Sequence, residues 1–172
     1  MSGSNNSQIQ INASTLVCQD SIIEGKVTIG SGNILHHRCR IIARRGPIII
    51  GDKNIFEEHS TIINNGAEPM IIGNENLFET SSYVDTSNLG NQNIVEIKAT
   101  VQQNTKITNN TIIGIGTTTL PDMELEELSV IYGEENSLRK QFKPVSMVSH
   151  SRHLHYLKDN LNRYKHNRRQ GH

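Results

Sequence analysis

The sequence predicts an all-β fold, a parallel β-helix of about six to seven triangular coils followed by a C-terminal α-helix, and three observations predict it. Ile11, Val17, Ile23, Ile29, Leu35 and Ile41 recur at an unbroken spacing of six, and the frame resumes as Ile50, Phe56, Ile62, then Ile72, Phe78, Val84, then Leu89, Val95, Val101, Ile107 and Ile113. The irregular steps, 41 to 50, 62 to 72 and 84 to 89, all separate a third face from the next first face. A prism tolerates loops at a corner and resists them within a strand, whereas random apolar spacing has no reason to confine them. Finally, aromatic residues make up 4% of the chain and Trp is absent, so the apolar material is aliphatic and largely β-branched, which suits strands.

Taken in order, residues 1–8 are polar and expected to be disordered, and residues 9–134 form the prism. Six coils run from Ile11 to about Thr119. One phrase recurs once per coil, with Gly30, Gly51, Gly73 and Gly90 at one offset and Asn33, Asn54, Asn76 and Asn93 at another. Both types tolerate positive φ, so they suit a tight corner, and the asparagines would stack as an amide ladder at about 4.8 Å per coil. After Pro121 the frame dissolves into the acidic stretch Asp122–Glu127, and Val130–Gly133 reads as a last strand. Residues 135–148 read as a linker. Residues 149–167 read as an amphipathic helix, since Leu154, Leu157 and Leu161 share one face and Lys158, Arg163 and Lys165 are left for the others. Residues 168–172 form a basic, frayed tail.

The formal net charge of zero hides a division. Up to Leu138 there are 8 Lys and Arg against 16 Asp and Glu, which is −8; from Arg139 onward 9 basic residues face the single acid Asp159, which is +8. Charges divided this way often meet, within the molecule or at a partner. No apolar run reaches the roughly 18–20 residues of a membrane span, and residues 1–7 lack the features of a signal peptide, so a cytosolic protein with no membrane insertion is expected. Cys18 and Cys39 are expected as reduced, buried thiols. The basic tail has no stacking aromatics and the prism is acidic, which argues against nucleic acid.

Catalysis on such a prism would need converging groups. An open zinc site requires three imidazoles, but His36 and His37 are adjacent and expected on opposite faces, and His59 lies a coil further at another offset. An acyl transfer site needs a general base at an external loop, and segments 42–49 and 63–71 contain no His. No catalytic residue, metal ligand or cofactor is therefore expected. His150, His153 and His155 do not make an i, i+4 ligand pair and read as incidental surface residues. Glu57, Glu79 and Glu96 share one offset in three successive coils, giving a column of like charges about 5 Å apart. That column is either a solvated corner with lysines such as Lys98 nearby or a site for a basic partner. Glu57, Glu79 and Glu96, with Leu154, Leu157 and Leu161, are the candidate partner-binding residues.

The segments Gly25–Gly30, Arg40–Ala43 with Gly46–Gly51, Phe56–Glu58 with Thr61–Asn64, Pro69–Gly73, Asn76–Glu79 and Val130–Gly133 together resemble the dynactin subunit 6 family, the smaller β-helix subunits of the dynactin pointed-end complex. The phrase from Arg40 to Asn64 is the most specific, and the loop around Asn65–Glu68 is shorter than in the family. The resemblance implies a left-handed prism. It also implies a non-enzymatic subunit that pairs with the larger β-helix dynactin subunit beside the pointed-end actin-related protein, helping dynactin support dynein-driven transport. The alternative is a homotrimeric hexapeptide-repeat enzyme, γ-carbonic-anhydrase-like or acyltransferase-like.

Overall fold

Three steps of six return the chain to its starting edge, so each strand pairs in parallel with the strand one coil earlier. In the computed structural model, which describes residues 8–165, Ile11 pairs with Ile29, Val17 with Leu35 and Ile23 with Ile41, an advance of 18 each time. The first face runs through Ile9–Ile11, Val27–Ile29, Ile48–Ile50, Met70–Ile72, Asn88–Leu89, Lys106–Ile107 and Glu124–Leu125. The second begins at Leu16–Val17 and ends at Ser129–Tyr132 and Ser137–Lys140; the third runs from Ile22–Glu24 to Thr100–Val101. Where the spacing changes, the pairing absorbs it, with Ile29 beside Ile50, Ile50 beside Ile72 and Ile72 beside Leu89. The longer connections, residues 44–47 and 65–69, lie at the corner between third and first faces, as the spacing predicts.

Every frame residue from Ile29 to Ile113 points to the axis and is buried. Phe56 and Phe78 stack at 4.8 Å between ring centroids with 5° between their planes, so they fill two successive layers with one geometry. Ile11, Val17 and Ile23, the first layer, are only partly covered.

The asparagine ladder forms. The side-chain amide of Asn54 donates to Asn33 Oδ1 at 3.0 Å and to Gly73 O at 2.9 Å, while its own Oδ1 accepts from the backbone and side chain of Asn76 at 2.9 and 3.0 Å. Asn76 Oδ1 takes the backbone N–H of Asn93, and Asn93 Oδ1 that of Thr111. All four amides are sealed from solvent, so their polar atoms depend on these partners.

The turn chemistry differs from the expected assignment. Positive φ falls one residue before each ladder asparagine, at Gly32, Lys53, Glu75 and Gln92, and not at the asparagines. The repeated glycines answer a different demand, because a Cβ at Gly51 would lie 2.6 Å from Gly73 O and 2.3 Å from Asn74 Oδ1. They let one coil's corner rest on the backbone of the next.

The frame also persists beyond Pro121. Leu125 pairs with Ile107 and Ile131 with Ile113, both buried, which extends the solenoid to a seventh coil on two faces. Thr119 hides the continuity: it fills a buried position with a hydroxyl 3.1 Å from that of Thr105 and accepts the Gln102 N–H, so no aliphatic marks the step. The expected linker at 135–148 carries a strand, Ser137–Lys140, which folds back antiparallel on Ser129–Tyr132 and closes the second face. Helix α1 spans Met147–Leu161, starting earlier than expected because Ser146 caps it by accepting from Val148 N, and a 3₁₀ turn follows at Asn162–Tyr164. The expectations for residues 1–7, for 166–167 and for the basic tail at 168–172 concern positions outside the described residues.

Replacing Asn54 by Ala strands the partners of a buried four-bond amide, so urea denaturation should show a loss of about 2–4 kcal/mol. Gly51→Ala should also destabilise, by forcing two coils apart, whereas Gly66→Ala, where an added Cβ meets nothing closer than 3.4 Å, should change stability by about 0.5 kcal/mol or less.

Candidate interaction site at the helix start

Outward-pointing residues of the second face form a column of their own, and α1 lies along it. Leu154, Leu157 and Leu161 are buried against Leu16, Cys18, Ile34 and Ile55, with Leu77 at the margin. The helix runs back along the prism: its first turn faces Leu77 and Ile94, and after its last turn Tyr164 O accepts from Gln19 N. The Tyr164 ring meets His37 edge-on at 5.0 Å between centroids. The three leucines offered as partner-binding residues are therefore taken up inside the chain, each contributing roughly 1.5–3 kcal/mol of burial.

The glutamate column forms at the edge of this face, and each carboxylate has a partner. Glu79 Oε2 accepts the backbone N–H of Ile97 at 3.1 Å and Glu96 Oε2 that of Ile115 at 2.9 Å. Glu57 accepts from Thr80 Oγ1 at 3.3 Å and, at 2.8 Å, from His153 Nε2 of the helix. His150 Nε2 donates to Lys53 O at 2.8 Å. These two histidines are docking residues rather than incidental ones, a role the sequence signalled only by their place beside the start of the leucine stripe. His155 remains exposed and bonds Ser151 O within its own helix. Burial pushes the Glu79 carboxyl above its ordinary value; the Ile97 N–H pulls it back, and the like charges of Glu96 and Glu57 push it further up. Burial lowers His150.

Between the first turn of α1 and the prism lies a groove of about 310 Å³. Leu77 and Ile94 form its floor, Val145, Met147 and His150 one wall, and Glu57, Glu75 and Glu79 the other. Glu75 was not singled out from sequence because it sits in the turn, off the column's offset. Glu96 does not line the groove.

The prism histidines sit elsewhere. The chain turns at His36–Arg38, with Arg38 at φ 57°, so strand alternation does not hold there and the two rings meet edge-on, centroids 5.2 Å apart, instead of facing apart. His37 Nδ1 lies 2.9 Å from Asp20, and His36 Nδ1 lies 3.5 Å from Glu58. Although partial burial works the other way, the His37 bond and charge hold Asp20 below its usual value. Among the described residues no three His, Cys, Asp or Glu side chains are placed to hold a metal ion. Cys18 and Cys39 are free and buried, and burial raises their thiols to about 11 and about 12, so both are protonated near neutrality. No helix among the described residues is long and apolar enough to cross a membrane.

No protein-family model matches the chain. It is 36% identical over 170 residues to dynactin subunit 6 of Nematostella vectensis, covering 92% of this chain and 91% of the relative. It is 40% identical to dynactin subunit 6 of Dictyostelium discoideum, covering 86% and 77%. Among solved structures, a hexapeptide transferase family protein from Anaplasma phagocytophilum superposes with a TM-score of 0.70 at 14% identity, over 91% of this chain and 88% of that one. The UDP-N-acetylglucosamine O-acyltransferase of Moraxella catarrhalis gives 0.54 at 16%, over 79% and 70%. At those identities the likeness is one of fold.

Leu157→Asp should free α1 from the prism, with loss of roughly 3 kcal/mol and fast amide exchange through Met147–Leu161 while the coils stay protected. The raised Glu79 value makes a second expectation. Because the folded state holds that proton more tightly than the unfolded chain does, stability falls as pH rises from the ordinary glutamate range through the raised value. Glu79→Gln, which keeps an acceptor for Ile97, should therefore raise the urea midpoint at pH 7, and the gain should fade as the pH is lowered towards 4.

Proposed function

The chain belongs to the dynactin subunit 6 family, and from that premise we propose that it is a non-catalytic structural subunit of the dynactin pointed-end complex. In this role it pairs with the larger β-helix subunit, sits beside the pointed-end actin-related protein, and supports dynein-driven microtubule transport and cargo binding. Its place is the cytoplasm, on the cytoskeleton.

The observation that carries the reading is the extent of the kinship. The Nematostella vectensis relative aligns over 92% of this chain, a span that has to include most of the prism and α1. The physical features agree with a scaffold. A parallel stack sealed by a buried amide ladder is rigid along its axis, and among the described residues two of its three faces carry no helix, which leaves broad flat surfaces for lateral contacts. Ile49 and Ile71 pair across adjacent strands on the first face and are 42% and 49% exposed, an apolar spot suited to a neighbouring subunit.

The test is the mass and composition of the native assembly at endogenous level, with its zinc content. A large, zinc-free complex containing a second β-helix subunit and actin-related proteins is expected. A homotrimer of about 58 kDa, three chains of 19.3 kDa each, carrying zinc or an acyl-coenzyme ligand would overturn the scaffold reading in favour of a hexapeptide-repeat enzyme.

A further inference from the structure

The groove under the start of α1 continues the apolar column that the helix covers lower down. Leu16, Ile34 and Ile55 are sealed by the helix leucines, whereas Leu77 and Ile94, the next two positions of the column, stay half-buried as the groove floor. A ledge of this kind, apolar and already partly dehydrated, favours an apolar side chain from elsewhere. Its size, about 310 Å³, is at the small end for cofactor pockets and suits a long side chain with one neighbour.

The charge around it is one-sided. Glu57, Glu75 and Glu79 line the wall. Against them stand two imidazoles: His153 is bound to Glu57, and His150 is lowered by burial and donates to Lys53 O. The amides at the helix N-terminus favour anions, but Ser146 Oγ takes up the Val148 N–H. Among the described residues no Lys or Arg lines the groove, and none forms an ion pair with Glu75 or Glu79. The Glu79 carboxyl, with Glu96 and Glu57 pushing against it, would be relieved by a cation from outside.

We propose that this groove is a docking site for a segment of a partner protein that presents a Lys or Arg side chain beside an aliphatic one, the cation at the Glu75 and Glu79 carboxylates and the aliphatic group on Leu77 and Ile94. The inference rests on the chain being a subunit of a larger assembly. Glu57 stays with His153 and keeps the helix in place, so docking and helix anchoring use different carboxylates of one wall.

The experiment places p-benzoylphenylalanine at Val145, or at Ser149 if that variant does not match the unsubstituted chain's urea midpoint, in the full chain within its native assembly. Irradiation and mass spectrometry then identify the crosslinked segment. The expected product joins the groove to another subunit at a stretch with Lys or Arg within two residues of Leu, Ile, Val or Met. Glu75→Lys should cut its yield at least fivefold, and Glu124→Lys, at the far end of the first face, should leave it unchanged. Crosslinks confined to residues 141–153 of the same chain, a partner stretch without a cation, a yield indifferent to Glu75→Lys, or a yield cut equally by Glu124→Lys would each overturn the proposal. A chain found outside dynactin sinks the functional reading, while the crosslink still decides the groove. A chain found within dynactin whose groove captures only itself sinks the groove alone.

Discussion

The molecule depends on the contact between one coil's corner and the next. At that corner a buried asparagine amide donates to the coil below and to a carbonyl of the coil above, and accepts from the coil above. Because an unpaired buried amide is expensive, each coil fixes the height and register of its neighbours, and an error at one level cannot be absorbed at the next. The glycine column makes this contact geometrically possible and the aliphatic frame makes it favourable. The insertions fall at the other edge of the first face from the ladder, at the corner with the third face.

With the second face fixed in this way, the helix acquires a flat, apolar track. The charge division in the sequence, acidic to Leu138 and basic beyond it, resolves in part where Lys140 reaches back to Glu126 at 3.1 Å. At the joint His153 also meets Glu57, at 2.8 Å. Both pairs are exposed or half-exposed, so they orient the C-terminal segments more than they stabilise them; burial of the three leucines supplies most of the docking free energy.

Much of the solenoid was legible because period six is imposed by geometry at every step. Ile11 to Ile113 could be placed in coils and faces from spacing alone, and the ladder followed from a fixed offset. Where the structure departs from expectation, a local substitution broke the signal. Thr119 replaced an aliphatic and interrupted the frame before the last coil; Lys53, Glu75 and Gln92 adopt positive φ without being residues known for it; His36 and His37 lie at a turn where alternation has no meaning. The leucine stripe announced an amphipathic helix but could not say what it faced, since an internal track and a foreign surface demand the same apolar spacing. The groove was illegible for a related reason, being made by residues of three coils between Glu57 and Ile94 together with the distant segment from Val145 to His153.

The return path of α1 also orders events during synthesis. Coils can stack in sequence as they leave the ribosome, each templated by the one before. Yet Leu16, Ile34 and Ile55 remain uncovered until the chain is made through Leu161, so the earliest coils are sealed by residues that follow the whole solenoid. Until then the nascent solenoid offers a greasy stripe to chaperones. Truncated or stalled chains would keep that stripe on display, which gives quality control a direct way to distinguish a finished subunit from an unfinished one.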